Sequence, residues 1–407
     1  MIHDIQSQTC QTLFVLGGHV AIKRSSRLGK VALSAVTVAL LAAAGCSSTA
    51  RSEDGSNSGD AASSGQVSGI VADAQASVDE AVEAPAKIGV TEPLKSSPAQ
   101  GGSIVYLKPD AAGGELPIPG LEEATKAIGW GFRTINFKLA EPATLVAGMQ
   151  EALGYKPTAV VIPSSPIQVW QNQIPAYEQA GVKIVPLFLG QIEQNETVLG
   201  NLQGPADVAA AAKVVADYVI ANSDGQGKAL VVSAPDVPAE AAFADTVHKR
   251  LDECSDCSYT DLELTTPQLA DGSGTRAVVS ALQKDPSIGY IMNAYGPQLP
   301  GLPGALAAAG LSNKVKTVGY YGGPADFAAV KAGQVDAYTS VPFTYSAYQV
   351  VDIVLRDQQG IPFEPNDGGV PVQLFVEGTD FDVDAATNYD QPADALDQFK
   401  ALWKVSD

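Results

Sequence analysis

Residues 315 to 348, VKTVGYYGGPADFAAVKAGQVDAYTSVPFTYSAY, decide the fold. The first residues form a short apolar run that reads as the end of a buried strand. Glycines and Pro324 then turn the chain, "PADFAAVKAG" follows at helical spacing, and after "AGQVDA" a second β-rich run begins. Two phenols, Tyr320 and Tyr321, stand side by side where the first strand ends. Neighbours in an extended strand point to opposite faces, so only one of the two can face a cleft at the strand end. Tyr321 is the one expected to do so.

The same alternation runs outward in both directions. From Ser103, "SIVYLK", "RTINFK", "TAVVIP" and "VKIVPLF" are apolar runs separated by helical patterns. After the long amphipathic stretch "DVAAAAKVVADYVIAN" the series restarts with "KALVVS", "SYTDLELT", "IGYIMN" and "VKTVGYY". Continuous β-rich runs separated by helices indicate parallel strands covered on both faces. The fold class is therefore α/β, two consecutive doubly wound Rossmann-like units with parallel sheets. A ligand belongs between them, at the carboxyl ends of the strands.

A chain of 407 residues that is 45% hydrophobic and 17% charged has enough apolar material for two cores. With 45 acidic against 25 basic side chains, its surface repels a nucleic-acid backbone, and no nucleic-acid partner is expected.

The N-terminus reads as a processing signal. Basic "KRSSRLGK" precedes an apolar run from Val31 to Ala44 that is too short to span a membrane, and "AAAGCSS" surrounds Cys46. This order resembles the bacterial lipobox, which implies cleavage before Cys46 and lipidation of its thiol. The next stretch, "SSTARSEDGSNSGDAASSGQ", has almost nothing to bury and reads as a flexible tether. Ile70, Val71, Ala74, Val78 and Val82 then fall at the spacing of one short helix. Cleavage leaves His248 as the single histidine. Cys254 and Cys257, in "ECSDCSY" after a helical stretch, read as a local disulfide, since zinc would want ligands the chain does not offer. No metal and no cofactor is expected.

The order of elements resembles the type I periplasmic binding proteins, in their sugar-binding branch, over residues 103 to 376. The markers are "AVVIPSSP", "AYEQAGVKIVPLF", "PSIGYIMNAYG", the 315–348 block and the final strand "VPVQLFV". The resemblance implies three crossings between two lobes, near Leu202–Pro205, Val341–Phe343 and Gly368–Pro371. It divides the chain into a lipoprotein signal peptide (1–45), a lipid-anchored flexible tether with a short helix (46–102), a first lobe (103–203 with 344–369), a second lobe (204–343 with 370–379) and a C-terminal extension (380–407). Within that extension "DFDVDAATNYDQ" begins like a calcium loop but lacks its glycine and terminal glutamate, and reads as a solvated acidic tail.

Pocket residues of such a fold sit just past strand ends, and the resemblance places them here at Lys108, Asp110, Ile162, Ser164, Phe188, Leu189, Asn293, Tyr295, Tyr321, Phe343 and Tyr345. Sugar-binding relatives carry amides and charges at several of these places. Here Ile162 stands for an asparagine, Phe188 and Leu189 for an Asp-Arg pair, Ala294 for an acid after the retained Asn293, Tyr321 for a carboxylate, and a residue near Tyr345 for a glutamine. An apolar wall leaves buried sugar hydroxyls unpaired, at about 1–3 kcal/mol each, whereas tyrosines offer a broad apolar face with one polar tip. An aromatic or otherwise apolar solute is expected rather than a simple sugar. Trp170 is a weaker candidate, and Trp130 is expected in the core. The loop "KPDAAGGELPIPG" is placed to cap the site, with Lys108 available to an acidic ligand.

Together with the lipobox, these features imply an extracytoplasmic, membrane-anchored monomer that closes around a small molecule and presents it to an ABC permease. A sugar receptor of the same family, or a sensor for a membrane kinase or chemoreceptor, is the alternative. An enzyme is not expected. The chain has no Gly-x-Ser-x-Gly elbow and no phosphate-cradling loop, and His248 lies in a helical stretch.

Overall fold

The computed structural model describes residues 58–190, 192–363, 369–389 and 391–405. The leader, Cys46 and the Ser- and Gly-rich stretch after it lie outside the described residues up to Asn57.

Two sheets form. The first comprises β1 (Ser103–Pro109), β2 (Gly131–Phe137), β3 (Ala159–Pro163) and β4 (Lys183–Leu187), ordered β2-β1-β3-β4 and parallel throughout. The second comprises β5 (Lys228–Ser233), β6 (Ser258–Glu263), β7 (Tyr290–Tyr295), β8 (Lys316–Tyr321), β9 (Ala337–Thr339) and β10 (Leu374–Val376). Its order is β10-β9-β8-β7-β5-β6, parallel except for the antiparallel β10 at the edge.

The strands read as continuous apolar runs because both faces are covered. In β1, Ile104 and Tyr106 enter one core cluster and Val105 and Leu107 enter another. In β5, Ala229 and Val231 face one helical layer and Leu230 and Val232 the opposite one. Period-two side-chain alternation thus divides each strand between two layers, the signature of a doubly wound sheet.

After β4 the chain leaves the first sheet at Phe188, whose N–H donates to Leu202 O at 2.9 Å, and enters the helix Pro205–Asn222 beside the second. After β9 it returns through Ser340–Pro342 into the helix Phe343–Gln358, which packs against Ile118–Ala127 in the first half. The approach of these two helices is close: a Cβ on Gly120 would stand 2.8 Å from the Ala347 Cβ.

The segment before Ser103 departs from the expected flexible tether. The helix is longer than its sequence spacing suggested, Ser58–Val82, and its Ile70, Ala74, Val78 and Ala81 are buried against the second sheet's helices. Ile88, Val90 and Leu94 then enter the core of the first half, so the chain passes between the halves there as well. Arg356 Nη2 donates to Glu92 O at 2.5 Å, and Gly89 N donates to the Tyr345 hydroxyl at 3.0 Å. Alanines and a few aliphatics supply weak local signal, and distant partners hold the segment: Pro205–Asn222 for the helix, and residues more than 250 positions away for Gly89 and Glu92.

The C-terminal extension is likewise no solvated tail. Helices Val383–Asn388 and Ala395–Trp403 dock on opposite halves, Phe399 and Trp403 are buried, and Trp403 Nε1 donates to Asp352 Oδ1 at 2.9 Å. Within the calcium-like stretch, Asp382 Oδ1 caps its helix by accepting from Ala385 N at 2.9 Å. Trp130 is core, as expected. Trp170 proves to be core too, its Nε1 donating to Ser165 O at 2.9 Å. Cys254 and Cys257 are joined as a disulfide between the helix Pro238–Asp252 and β6. Among the described residues no helix is long and apolar enough to cross a membrane.

Candidate ligand-binding cleft

The carboxyl ends of β4, β7 and β8 and the crossing after β9 converge between the two halves. Phe188 follows β4 and adopts φ 58°, a left-handed backbone that turns its ring out of the strand direction. Tyr295 ends β7 and Tyr321 ends β8, paired in register. Phe343 opens the helix of the second crossing.

These four rings form a row. Tyr295 and Tyr321 centroids are 5.1 Å apart, Tyr321 and Phe343 5.9 Å, and Phe343 and Phe188 5.2 Å, all tilted. Such distances and angles are those of favourable aromatic pairs. The row starts on the second sheet and ends on the first, with Phe188 packed partly against the cores of both. The pleat separates the adjacent phenols: Tyr320 turns inward and stacks on Phe243 at 6.1 Å, while Tyr321 stays partly exposed.

The other expected pocket residues distribute unevenly. Lys108 pairs with Glu115 on the loop after β1. Asp110 Oδ1 accepts from Leu139 N at 3.0 Å, tying that loop to the end of β2. Leu116 on the same loop packs partly against the second half's core. Ser164 is exposed at φ 53°. Asn293 is buried beneath Tyr295, its Nδ2 donating to Tyr295 O at 3.0 Å and to the Tyr338 hydroxyl at 3.1 Å.

Three expectations are not met. Ile162 and Leu189 are buried in the core of the first half with Leu145 and Met149. Tyr345 points away from the row and packs on Phe399 at 5.5 Å. Each sits within two residues of a ring or turn at the cleft, but strand pleat and helical phase direct it into the core.

Polar groups that sequence reasoning passed over stand on the crossings themselves. Gln203 Nε2 on the first crossing and Ser340 Oγ on the second are buried and have no hydrogen-bond partner among the described residues. A buried unpaired polar atom costs free energy unless something fills its valence, so both are candidates for a bound solute. The signal available was position, in "NLQGP" and "TSVPF" at the crossings.

Glu240 is also buried, but it is hydrogen-bonded. Its Oε2 accepts from Ala234 N at 2.7 Å, and burial raises its pKa to about 7, with the Ala234 and Gln298 hydrogen bonds opposing that shift. The Gln298 amide nitrogen donates to the Glu240 carboxyl, reaching its two oxygens at 3.0 and 3.2 Å.

Burial likewise raises the Tyr295 phenol, with Glu240 and then Asp326 adding to the shift. For Tyr321, burial again comes first, followed by Tyr295. At the opposite lip, a Cβ on Gly190 would stand 3.3 Å from the Pro238 Cβ, so the two halves approach there. No group of side chains suited to a metal ion occurs among the described residues.

A two-sheet α/β chain with an aromatic cleft at its crossings defines the class of bilobal binding proteins, and the comparisons agree. The sequence model of the periplasmic binding protein domain matches residues 112–360, more than half of the chain, and the chain belongs to that family. A search of curated proteins returned no match.

Among solved structures, an ABC transporter solute binding protein from Agrobacterium vitis with bound allitol is 21% identical, with a TM-score of 0.56 over 71% of this chain and 98% of that one. The 5-methylthioribose transporter solute binding protein from Thermotoga lettingae, in complex with 5-methylthioribose, is 13% identical, with a TM-score of 0.58 over 78% and 100%. An ABC sugar transporter subunit from Rhodobacter sphaeroides is 18% identical, with a TM-score of 0.55 over 69% and 99%. At these identities the likeness is one of fold.

Proposed function

We propose that the protein is the solute receptor of an ABC importer, anchored outside the cytoplasm by a lipid on Cys46, that closes its two halves over a small solute with a broad apolar face. The observation that carries this reading is the row Tyr295, Tyr321, Phe343, Phe188, which runs unbroken from one half to the other. A solute lying along it touches both halves at once, so its binding energy favours closure. Gln203 and Ser340 at the crossings supply the few polar contacts that orient it.

The comparisons favour a second reading, since the similar proteins include ones solved with allitol and with 5-methylthioribose. The latter compound joins a sugar to a thioether, a combination of hydroxyls and apolar surface that a mixed cleft also suits. The aromatic row favours the more apolar end of that range.

Thermal shift of the purified chain against sugars, polyols, sugar thioethers, aromatic acids, aromatic amines and steroids tests this. At a concentration about 100 times its Kd, the solute stabilises the protein by about 2.7 kcal/mol, a shift of several degrees. Tyr321→Asp abolishes that shift without lowering the melting temperature of the empty protein by a comparable amount. Selective stabilisation by an unmodified pentose or hexose overturns the apolar preference.

A further inference from the structure

The helices that begin at the cleft edge of the second half offer N–H groups with partial positive charge, which would suit an anion. At two of them the chain's own carboxylate closes a capping box, and at the third an acid in the first turn holds the loop before the helix. Asp207 accepts from Gly204 N at 3.2 Å at the start of Pro205–Asn222. Glu240 accepts from Ala234 N at 2.7 Å beside the start of Pro238–Asp252. Asp326 accepts from Gly323 N at 2.9 Å at the start of Pro324–Lys331. Among the described residues none of the three is paired with a lysine, arginine or histidine.

Two of them flank the aromatic row. Glu240 and Asp326 both act on the Tyr295 phenol through space, and a Cβ on Gly296, next to Tyr295, would stand 2.2 Å from Asp326 Oδ2. Lys108, the one cation among the expected pocket residues, is held by Glu115. The cleft therefore presents ring faces of negative quadrupole with acids beside them, and the starts of Pro205–Asn222 and Pro324–Lys331 are already capped by their own carboxylates. A cation over a tyrosine face is attracted by that quadrupole, more strongly where water is excluded.

We propose that the solute is an organic cation: its charged nitrogen sits over the Tyr295–Tyr321 pair beside Glu240 and Asp326, and its apolar body lies along Phe343 and Phe188. The inference rests on the apolar-cleft reading above and adds the sign of the charge to it.

Titration calorimetry with three probes of one body, phenethylammonium, 2-phenylethanol and phenylacetate, tests it on the purified full chain at low salt. Phenethylammonium is expected to bind at least tenfold tighter than phenylacetate and severalfold tighter than the alcohol. Raising the salt concentration reduces that preference. Glu240→Gln and Asp326→Asn each lower the amine-to-alcohol affinity ratio by threefold or more, and melting curves check that both variants are folded. The ratio keeps the test independent of any general loss of affinity.

The proposal is overturned if phenylacetate binds as tightly as the amine. It is also overturned if both variants leave the ratio unchanged. If the alcohol binds as well as the amine and Tyr321→Leu weakens both, the charge inference fails while the apolar cleft stands. If no phenethyl probe binds and an unmodified hexose does, the apolar cleft fails and the charge inference falls with it.

Discussion

Gly319 lies in β8 where the Tyr338 ring crosses the sheet, and a Cβ there would come within 1.9 Å of Tyr338 Cε1. That ring is fixed at its far end by Asn293, the residue beneath Tyr295, so it cannot move without disturbing the cleft wall. Gly319→Ala is expected to cost about 1–3 kcal/mol of stability through overpacking, read from urea unfolding, and to weaken solute binding as well. At this scale much was legible beforehand. The pleat sorts Tyr320 from Tyr321 by parity alone, and their rings do diverge, one to Phe243 and one to Tyr295. Parity could not place Tyr345, because its direction depends on the phase of a helix packed beneath Phe399.

At the scale of elements, the crossings are the parts under most constraint. Asp207 accepts backbone N–H groups from Gly204 and Gln203 on the first crossing and from Val370 beside the third, and burial raises its pKa to about 6 against those bonds. A carboxyl raised on folding holds its proton more firmly in the native state than in the unfolded chain. Its contribution to stability is full below pH 4 and is lost as pH rises through about 6. Glu240, raised to about 7, acts in the same direction.

The protein is therefore expected to lose on the order of 1–3 kcal/mol from these groups between pH 5 and 7.5. Asp207→Asn should flatten that slope in melting curves recorded across the range, and an unchanged slope would remove Asp207 from the account. The elements themselves were largely readable, since each buried strand is a continuous apolar run. The packed segment 68–102 and the helix Ala395–Trp403 were not, because sparse aliphatics and single aromatics become core only when distant elements cover them.

At the scale of the molecule, the helix Ser58–Val82 joins the second half and the stretch from Ile88 to Leu94 joins the first. Under the lipoprotein reading, Cys46→Ser should move the protein from the membrane fraction to the soluble fraction without changing its solute affinity, which fractionation and calorimetry together measure.

The sequence by itself determined the alternation of strands and helices, the two sheets and the positions of the aromatic side chains at strand ends, because backbone periodicity and strand burial are written in local apolar patterns. Only the tertiary structure decided which of those side chains meet. Phe188 and Phe343 are 155 positions apart, and their contact across the cleft depends on how the crossings fold the first half back onto the second. Gln203 and Ser340, without a partner among the described residues, and the acids beside Tyr295 emerge in the same way, since burial and electrostatic proximity are properties of packing that local sequence does not carry.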